Sequence, residues 1–360
     1  MTEKDFIPSD LFNPTDQGVI HSESPSNIAL VKYWGKFPDQ IPANPSISFT
    51  LDTCATSTTV EYNALPAKTG KASFEFFFEG KPKPDFEPKL QTFFDRTAKY
   101  LPFLKNYHLK ISSSNSFPHS SGIASSASAM AALASSLVEL ERRHNPEMDR
   151  QFANLKSSFL ARLGSGSACR SISGSLVVWG EHADIPGSSD LYGVPFPDTI
   201  AKIFQDYQDT ILLVHRGQKQ VSSTVGHKLM EGHPFAKQRF EQAHSNLRRI
   251  KEVMISGDLD AFVDLVEREA LTLHAMMMTS SPYFILMKPN TLSIIEKVWE
   301  FRRNTGLPLC FTLDAGANVH LLYPGQNKEK VLQFIKNELV AYCENGQYIC
   351  DQLGEGTKIS

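Results

Sequence analysis

The sequence predicts an α+β fold of two domains. Three observations carry that prediction. Short β-branched and aromatic segments are mixed with amphipathic helical segments, without the strict strand–helix alternation of a doubly wound sheet. The pattern changes near residue 205, from strand-rich to helix-rich. A chain of 360 residues can also fill two hydrophobic cores. We place the domains at 1–205 and 206–360.

After a polar N-terminal arm, "NIALVKY", "SISFTLD" and "ATSTTVEYN" (27–63) read as strands, the last two rich in β-branched residues. "ASFEFFFEGKPKPDF" is aromatic and turns at Gly80, which suggests a hairpin at an edge, and "NYHLKISSSN" is a further strand. A Ser/Gly loop then opens a helix with Met130, Leu133, Leu137 and Leu140 on one face. A second helix carries Phe152, Leu155, Phe159 and Leu163 and stops at "GSGSACRS", after which "GSLVVWG" returns to strand. Beyond "DTILLVH", helical stretches are expected near 221–231, 235–256, 258–277 and 291–304. The chain closes with strands at "LCFTLDAG" and "NVHLLY", a helix over "KEKVLQFIKNELVAYC" and a last strand.

Composition narrows the function classes. A net charge of −3 offers no global basic field for nucleic acid or an anionic membrane, so any anion must be held by a local constellation. No apolar run approaches the roughly 20 residues that span a bilayer, and the acidic N-terminus lacks a signal-peptide core. Five cysteines without CxxC spacing suit reduced thiols, and a cytoplasmic protein is expected.

Three loops could hold anions. "FPHSSGIASSASAM" puts a glycine and serine hydroxyls at the start of a helix, where free N–H groups and the helix dipole favour phosphate. A serine-rich loop with an ordinary N-cap is the plainer reading. "GSGSACRS" adds two glycines and Arg170, whose guanidinium can grip a carboxylate or phosphate with two parallel bonds, unless the glycine simply ends a helix. "TLDAGAN" sets Asp314 at the end of an apolar strand, a position that an exposed turn former would also take. No P-loop and no Rossmann glycine fingerprint is present.

"SPSNIALVKYWGK", "FPHSSGIASSASA", "GSGSACRS" and "LDAGAN", in that order, resemble the diphosphomevalonate decarboxylase family of the GHMP kinase superfamily. "IPANPSISFTL" and "VSSTVG" also match, and the resemblance runs from residue 24 to about residue 320. It implies a GHMP-kinase-like two-domain fold with the active site in the cleft between domains, dependence on ATP and Mg2+, and commonly a homodimer. The reaction implied is phosphorylation of the 3-hydroxyl of (R)-5-diphosphomevalonate, followed by loss of CO2 and phosphate to give isopentenyl diphosphate. It implies neither nucleic acid nor membrane as a partner.

Carried across residue by residue, the resemblance puts catalysis on Asp314, Lys32, Arg170 and Asn27. Substrate contacts fall on Tyr33, Trp34, Gly35, Lys36, Ser165, Gly166, Ser167, Ala168, Cys169 and Arg170, with Lys81 and Thr224 as further contacts. The ATP phosphate loop falls on Pro118, Ser120, Ser121, Gly122, Ala124, Ser125 and Ser126. No metal ligand is assigned. The chain departs from the family pattern at Phe37 and Pro38, where a usual Arg-Asp and a longer link are replaced. It also departs at Pro45 for serine, at His119–Ser121 for Thr-Ala-Ala, and at Ala317 for proline.

Phosphoryl transfer relies on positioning and charge stabilisation. An ammonium beside Asp314 weakens it as a base, so orienting the hydroxyl is its expected work. Arg170 is expected to pin the departing carboxylate. Elsewhere, "WGEHADI" reads as a surface turn, the methionines of "HAMMMTS" as core, and His119 as a bystander in the phosphate loop. The alternatives are a related enzyme acting on mevalonate or phosphomevalonate, as a kinase or a monophosphate decarboxylase, and a non-catalytic ligand-binding relative.

Overall fold

The computed structural model describes residues 1–8, 16–66, 71–118, 123–217 and 223–360, apart from the side chains of Ser223 and Thr224. Its secondary structure mixes antiparallel sheets with helices, as an α+β fold requires. The N-terminal arm is not merely polar. Phe6 is completely buried and stacks on Phe159 with centroids 4.4 Å apart, an apolar anchor that the surrounding charges conceal.

The first sheet begins with β1 (Gln17–Val31) and β2 (Ser46–Ala64), antiparallel with Ile28 opposite Phe49. The two strands expected at 46–52 and 55–63 are thus one. The carboxylate of Asp351 bridges their junction by accepting the N–H groups of Asp52, Thr53 and Cys54 at 2.7–2.9 Å. The aromatic hairpin forms β3 (Ser73–Phe78) and β4 (Lys81–Pro82). A helix that the sequence did not suggest follows, α1 (Glu87–Thr97), with Pro88 in its first turn and Leu90, Phe93 and Phe94 buried. β5 (Tyr107–Asn115) joins β2 antiparallel and β3 parallel.

Helix α2 (Ser125–His144) buries Met130, Leu133, Leu137 and Leu140, and α3 (Arg150–Gly164) is capped by Asp149, whose side chain accepts the Phe152 N–H at 2.7 Å. The "GSACRS" stretch is a tight 3-10 turn over Gly166–Ser171. β6 (Leu176–Trp179) returns to β2 and carries β7 (Gly193–Pro195).

The second sheet starts with β8 (Gln208–Leu212). Helices α4 (Ser223–Lys228), α5 (Ala236–Ser256), α6 (Leu259–Met278) and α7 (Pro289–Thr305) follow, close to expectation. β9 (Cys310–Leu313) and β10 (Val319–Tyr323) precede α8 (Lys328–Phe334). The expected helix to Cys343 does not stay α-helical: it widens into a π-turn at Ile335–Leu339 and tightens at Val340–Tyr342. β11 (Tyr348–Gln352) completes the antiparallel order β11-β8-β10-β9, and β12 (Lys358–Ile359) crosses back to β1 at the edge of the first sheet.

Packing ties the two halves together. The largest core continues from the first sheet into Phe204, Ile211, Leu247 and Phe262. A separate cluster joins Trp34, just after β1, to Met230, Leu273, Met276, Met277 and Leu286. The tail repeats this with backbone bonds, Gly354 N–H to Thr50 at 2.8 Å and Thr357 N–H to Ile172 at 3.0 Å.

Candidate active site

Residues 32–36 leave β1 and cross to the second half of the chain. Lys32 is buried, and its ammonium turns back to donate to the Ala29 carbonyl at 2.7 Å. Burial pulls the ammonium down to about 8, while Asp314 first and Glu269 second hold it up. Asp314, in the turn between β9 and β10, also acts on Arg170 and on the ring of His227. The turn therefore brings Lys32, Arg170 and Asp314 into one electrostatic unit, although they lie far apart in sequence.

Arg170 is buried in the 3-10 turn, donates to the Ser46 hydroxyl, and lies 6.0 Å from the Trp179 ring. Burial lowers its pKa, opposed by Cys169 and Asp314. Asn27 donates to the Ser167 carbonyl at 3.2 Å and to the Ser171 hydroxyl at 2.9 Å. Three buried polar atoms here have no hydrogen-bond partner among the described residues: Asn27 Oδ1, the Tyr33 hydroxyl and Arg170 Nε. Buried polar atoms without partners are rare, and a polar ligand is the ordinary way to satisfy them. Gly166 is required by packing, since a Cβ there would lie 2.9 Å from both Tyr33 and Trp179.

The remaining members of the turn have supporting work. Cys169 and Ala168 are fully buried, and burial pushes the Cys169 thiol up to about 12, which removes it as a nucleophile. Ser165 and Ser167 are half-buried. Trp34 packs its ring into the apolar cluster on α6. Gly35 takes a φ of +97°, and its N–H donates to His227 Nδ1 at 3.0 Å.

Lys36 is half-buried and bonds Gln40 Oε1 at 2.7 Å; burial and nearby Arg96 lower its pKa. Its other charged neighbour is Lys89 of α1, whose ammonium donates to the Ser126 hydroxyl at 2.9 Å and whose pKa burial and Lys36 lower. Lys81 stands at the hairpin tip and, like Lys89, is exposed. Among the described residues, Lys89 is a cation beside the start of α2, and the sequence did not point to it because it did not suggest the helix that carries it.

The start of α2 is compatible with an anion: Ala124 is held at φ +37°, and among the described residues no side chain caps the helix and its first turn has no acid, so the positive dipole end is not neutralised by them. Ser125 is half-buried and Ser126 exposed at this end, with Pro118 half-buried just upstream. Ser120, Ser121, Gly122 and the unmatched His119 lie outside the described residues, as does the side chain of Thr224. Next to Ser125, Ser126 and Lys89 opens an apolar cavity of about 190 Å³ walled by Phe76, Phe78, Phe86, Ile111 and Met130.

Both halves of the chain are similar to known proteins. Residues 24–191 match the diphosphomevalonate decarboxylase-like N-terminal domain, and residues 210–357 match the mevalonate 5-diphosphate decarboxylase C-terminal domain. The chain is 30% identical over 334 residues to a diphosphomevalonate decarboxylase of Aspergillus fumigatus, covering 87% of this chain and 78% of that protein. The chain belongs to the diphosphomevalonate decarboxylase family.

Identity to the family member of Saccharomyces cerevisiae is 29%, over 87% of this chain and 79% of that one. Among solved structures, the mevalonate diphosphate decarboxylase of Staphylococcus aureus superposes with a TM-score of 0.80 at 28% identity, covering 96% of this chain and 98% of that one. The enzyme from Enterococcus faecalis gives 0.79 at 26%, covering 96% and 99%. A further structure, with a TM-score of 0.80, 26% identity and coverage of 96% and 99%, is a complex with MVAPP, AMPPCP and magnesium.

Several residues near the candidate site were not legible beforehand. His227 follows the matched "VSSTVG" directly, yet a histidine there has no motif meaning until its ring is seen against Tyr33 and Trp34, at 4.2 and 4.6 Å. His274 reaches the Asp314 carbonyl at 3.2 Å, and Met276 and Met277 are core as expected, whereas Met278, on the outer face at the end of α6, is exposed. "WGEHADI" is a turn, but His182 in it is buried and stacks on His244, so the expected surface turn is half internal.

Proposed function

We propose that this chain is an ATP-dependent diphosphomevalonate decarboxylase. The observation that carries this reading is the buried Arg170 guanidinium, with Nε unpaired, in one electrostatic unit with Asp314 and Lys32. A plain kinase has no use for a buried fork that fixes a carboxylate. The same residues sit in the stretches that mark the family.

ATP approaches with its base toward the apolar cavity and its phosphates toward the start of α2, where Lys89 and the N–H groups meet them. The hydroxyls of Ser125 and Ser126 are the oxygen donors on that edge that would hold magnesium, and the ion would supply neutralisation of phosphate charge. Diphosphomevalonate places its diphosphate toward Lys36, Lys89 and the Tyr33 hydroxyl, and its carboxylate on Arg170. Asp314 orients the 3-hydroxyl toward the γ-phosphate and receives its proton late. Once phosphorylated, the C3–O bond breaks with its electrons leaving on phosphate. The C1–C2 bond then gives its pair to the new double bond as CO2 departs. Lys32 and Asn27 stabilise the departing phosphate.

Residues 1–205 and 206–360 act as the two walls of this cleft, and the enzyme works as a cytoplasmic homodimer. All five cysteines are free thiols, in keeping with a reducing compartment. No described helix is long and apolar enough to cross a membrane. The deciding experiment offers mevalonate, its 5-phosphate and its 5-diphosphate with ATP, and follows ADP and CO2 separately. CO2 from the diphosphate alone is expected; ADP without CO2 would sink the reading.

A further inference from the structure

β1 ends at Val31, so the peptide groups of Lys32 have no strand partner and must find others. Both are taken by one ion pair from the second half of the chain. Glu269 of α6 accepts the Lys32 N–H at 2.8 Å, and Arg239 of α5 donates to the Lys32 carbonyl at 2.9 Å. The two side chains are fully buried and joined by two parallel bonds of 2.8 and 2.6 Å. Asn246 adds a bond to Glu269 at 2.5 Å, and Asn44 a second donor to the Lys32 carbonyl at 2.9 Å. We propose that the Arg239–Glu269 pair is a positioning device for Lys32, holding its peptide unit from both sides and so fixing where its ammonium stands relative to Asp314.

Stability alone does not explain this pair. A buried ion pair gains little over an apolar substitute, because desolvation offsets its attraction. What it adds is a fixed direction, and here that direction is given to a catalytic backbone. It also adds charge. Glu269 is the second carboxylate supporting the Lys32 ammonium, after Asp314. The other charges facing Lys32 are Arg170 in the 3-10 turn, Asp209 on β8 and Arg239 itself, and Lys32 in turn acts on His274 of α6. Removing the Glu269 charge withdraws support for the ammonium and leaves Arg239 to oppose it, so Lys32 loses its proton at lower pH.

This inference rests on the role given to Lys32 under Proposed function. The test compares wild type, Glu269→Gln and the double variant Arg239→Met/Glu269→Leu, which replaces the pair by apolar groups and leaves no unpaired buried charge. CO2 release from diphosphomevalonate is measured as kcat across pH 6 to 9.5, alongside affinity for a non-hydrolysable ATP analogue and the melting temperature. Wild type is expected to lose turnover above about pH 8. Both variants should lose kcat by about 10- to 100-fold, the scale on which misplacement acts. Glu269→Gln should also lose turnover at lower pH, by about half a unit or more, with analogue affinity within about twofold of wild type. Unchanged kcat and an unmoved alkaline limb would overturn the proposal. So would kcat, affinity and melting temperature all falling together, which would make the pair merely structural. Wild type that releases no CO2 would instead remove the functional reading itself, and this inference with it.

Discussion

At the scale of single residues, the site depends on groups whose charge state is set by burial. Asp314→Asn should lower CO2 release by about 10²- to 10⁴-fold, the range for loss of a positioned proton acceptor, while the affinity for an ATP analogue stays near wild type. Arg170→Lys keeps the charge but loses the fork. Its turnover should fall far more than its nucleotide affinity, and equal losses would reduce Arg170 to a binding residue. His227 makes a prediction about stability. Burial lowers its pKa to about 3, and that of His274 to about 4, well below an unfolded histidine. Below about pH 6.5 the unfolded chain takes up protons that the folded rings refuse, so stability present at neutral pH is lost as pH falls. Each ring should remove about 2 kcal/mol by pH 5. Denaturant melts over pH 5 to 7.5 check this, and His227→Met should flatten the slope. Asp314, Lys32 and Arg170 could be read from short motifs, because loops that bind anions keep a composition of glycine, serine and charge. Arg239, Glu269 and His227 could not, since each lies in an ordinary helix and gains meaning only from the backbone it meets.

Elements carry the next layer. On the proposed reading the start of α2 and Lys89 on α1 form a single anion seat, and Lys89→Met should then weaken ATP-analogue binding by about 10- to 100-fold, the worth of one charge-assisted bond. Titration calorimetry would show it; unchanged affinity would place the phosphates elsewhere. Trp34 fastens the end of β1 to α6, and Trp34→Ala should cost about 3–5 kcal/mol of stability, read as a lower denaturation midpoint with unchanged slope. Most elements were legible because their periodicity was strong, as with Met130, Leu133, Leu137 and Leu140 on α2. α1 escaped because Pro84, Phe86 and Pro88 crowd its start, and prolines before a helix look like a loop until the apolar face of Leu90, Phe93 and Phe94 is placed against a core. The helix after Lys328 was read too long, because apolar spacing continues to Cys343 while the backbone widens at Ile335.

Across the whole molecule, the two sheets are latched by polar groups. Asp351 on β11 takes three N–H groups at the bend of β2, and buried charge-assisted bonds of this kind are individually strong. Asp351→Ala leaves those N–H groups without partners and should destabilise the fold by about 2–4 kcal/mol, with a larger loss of turnover than of ATP-analogue affinity if the cleft walls shift. Equal activity at a lower melting temperature would confine the latch to stability. The sequence by itself determined the α+β class, the order of the loops and the family, because local composition and periodicity report what each segment needs from water and from anions. The tertiary structure alone decided that Lys89 of α1 meets Ser126 at the start of α2, that Trp34 is an anchor, and that Lys32 is held by α5 and α6. These are contacts between residues more than thirty positions apart, and no local pattern encodes which buried polar group will need which partner.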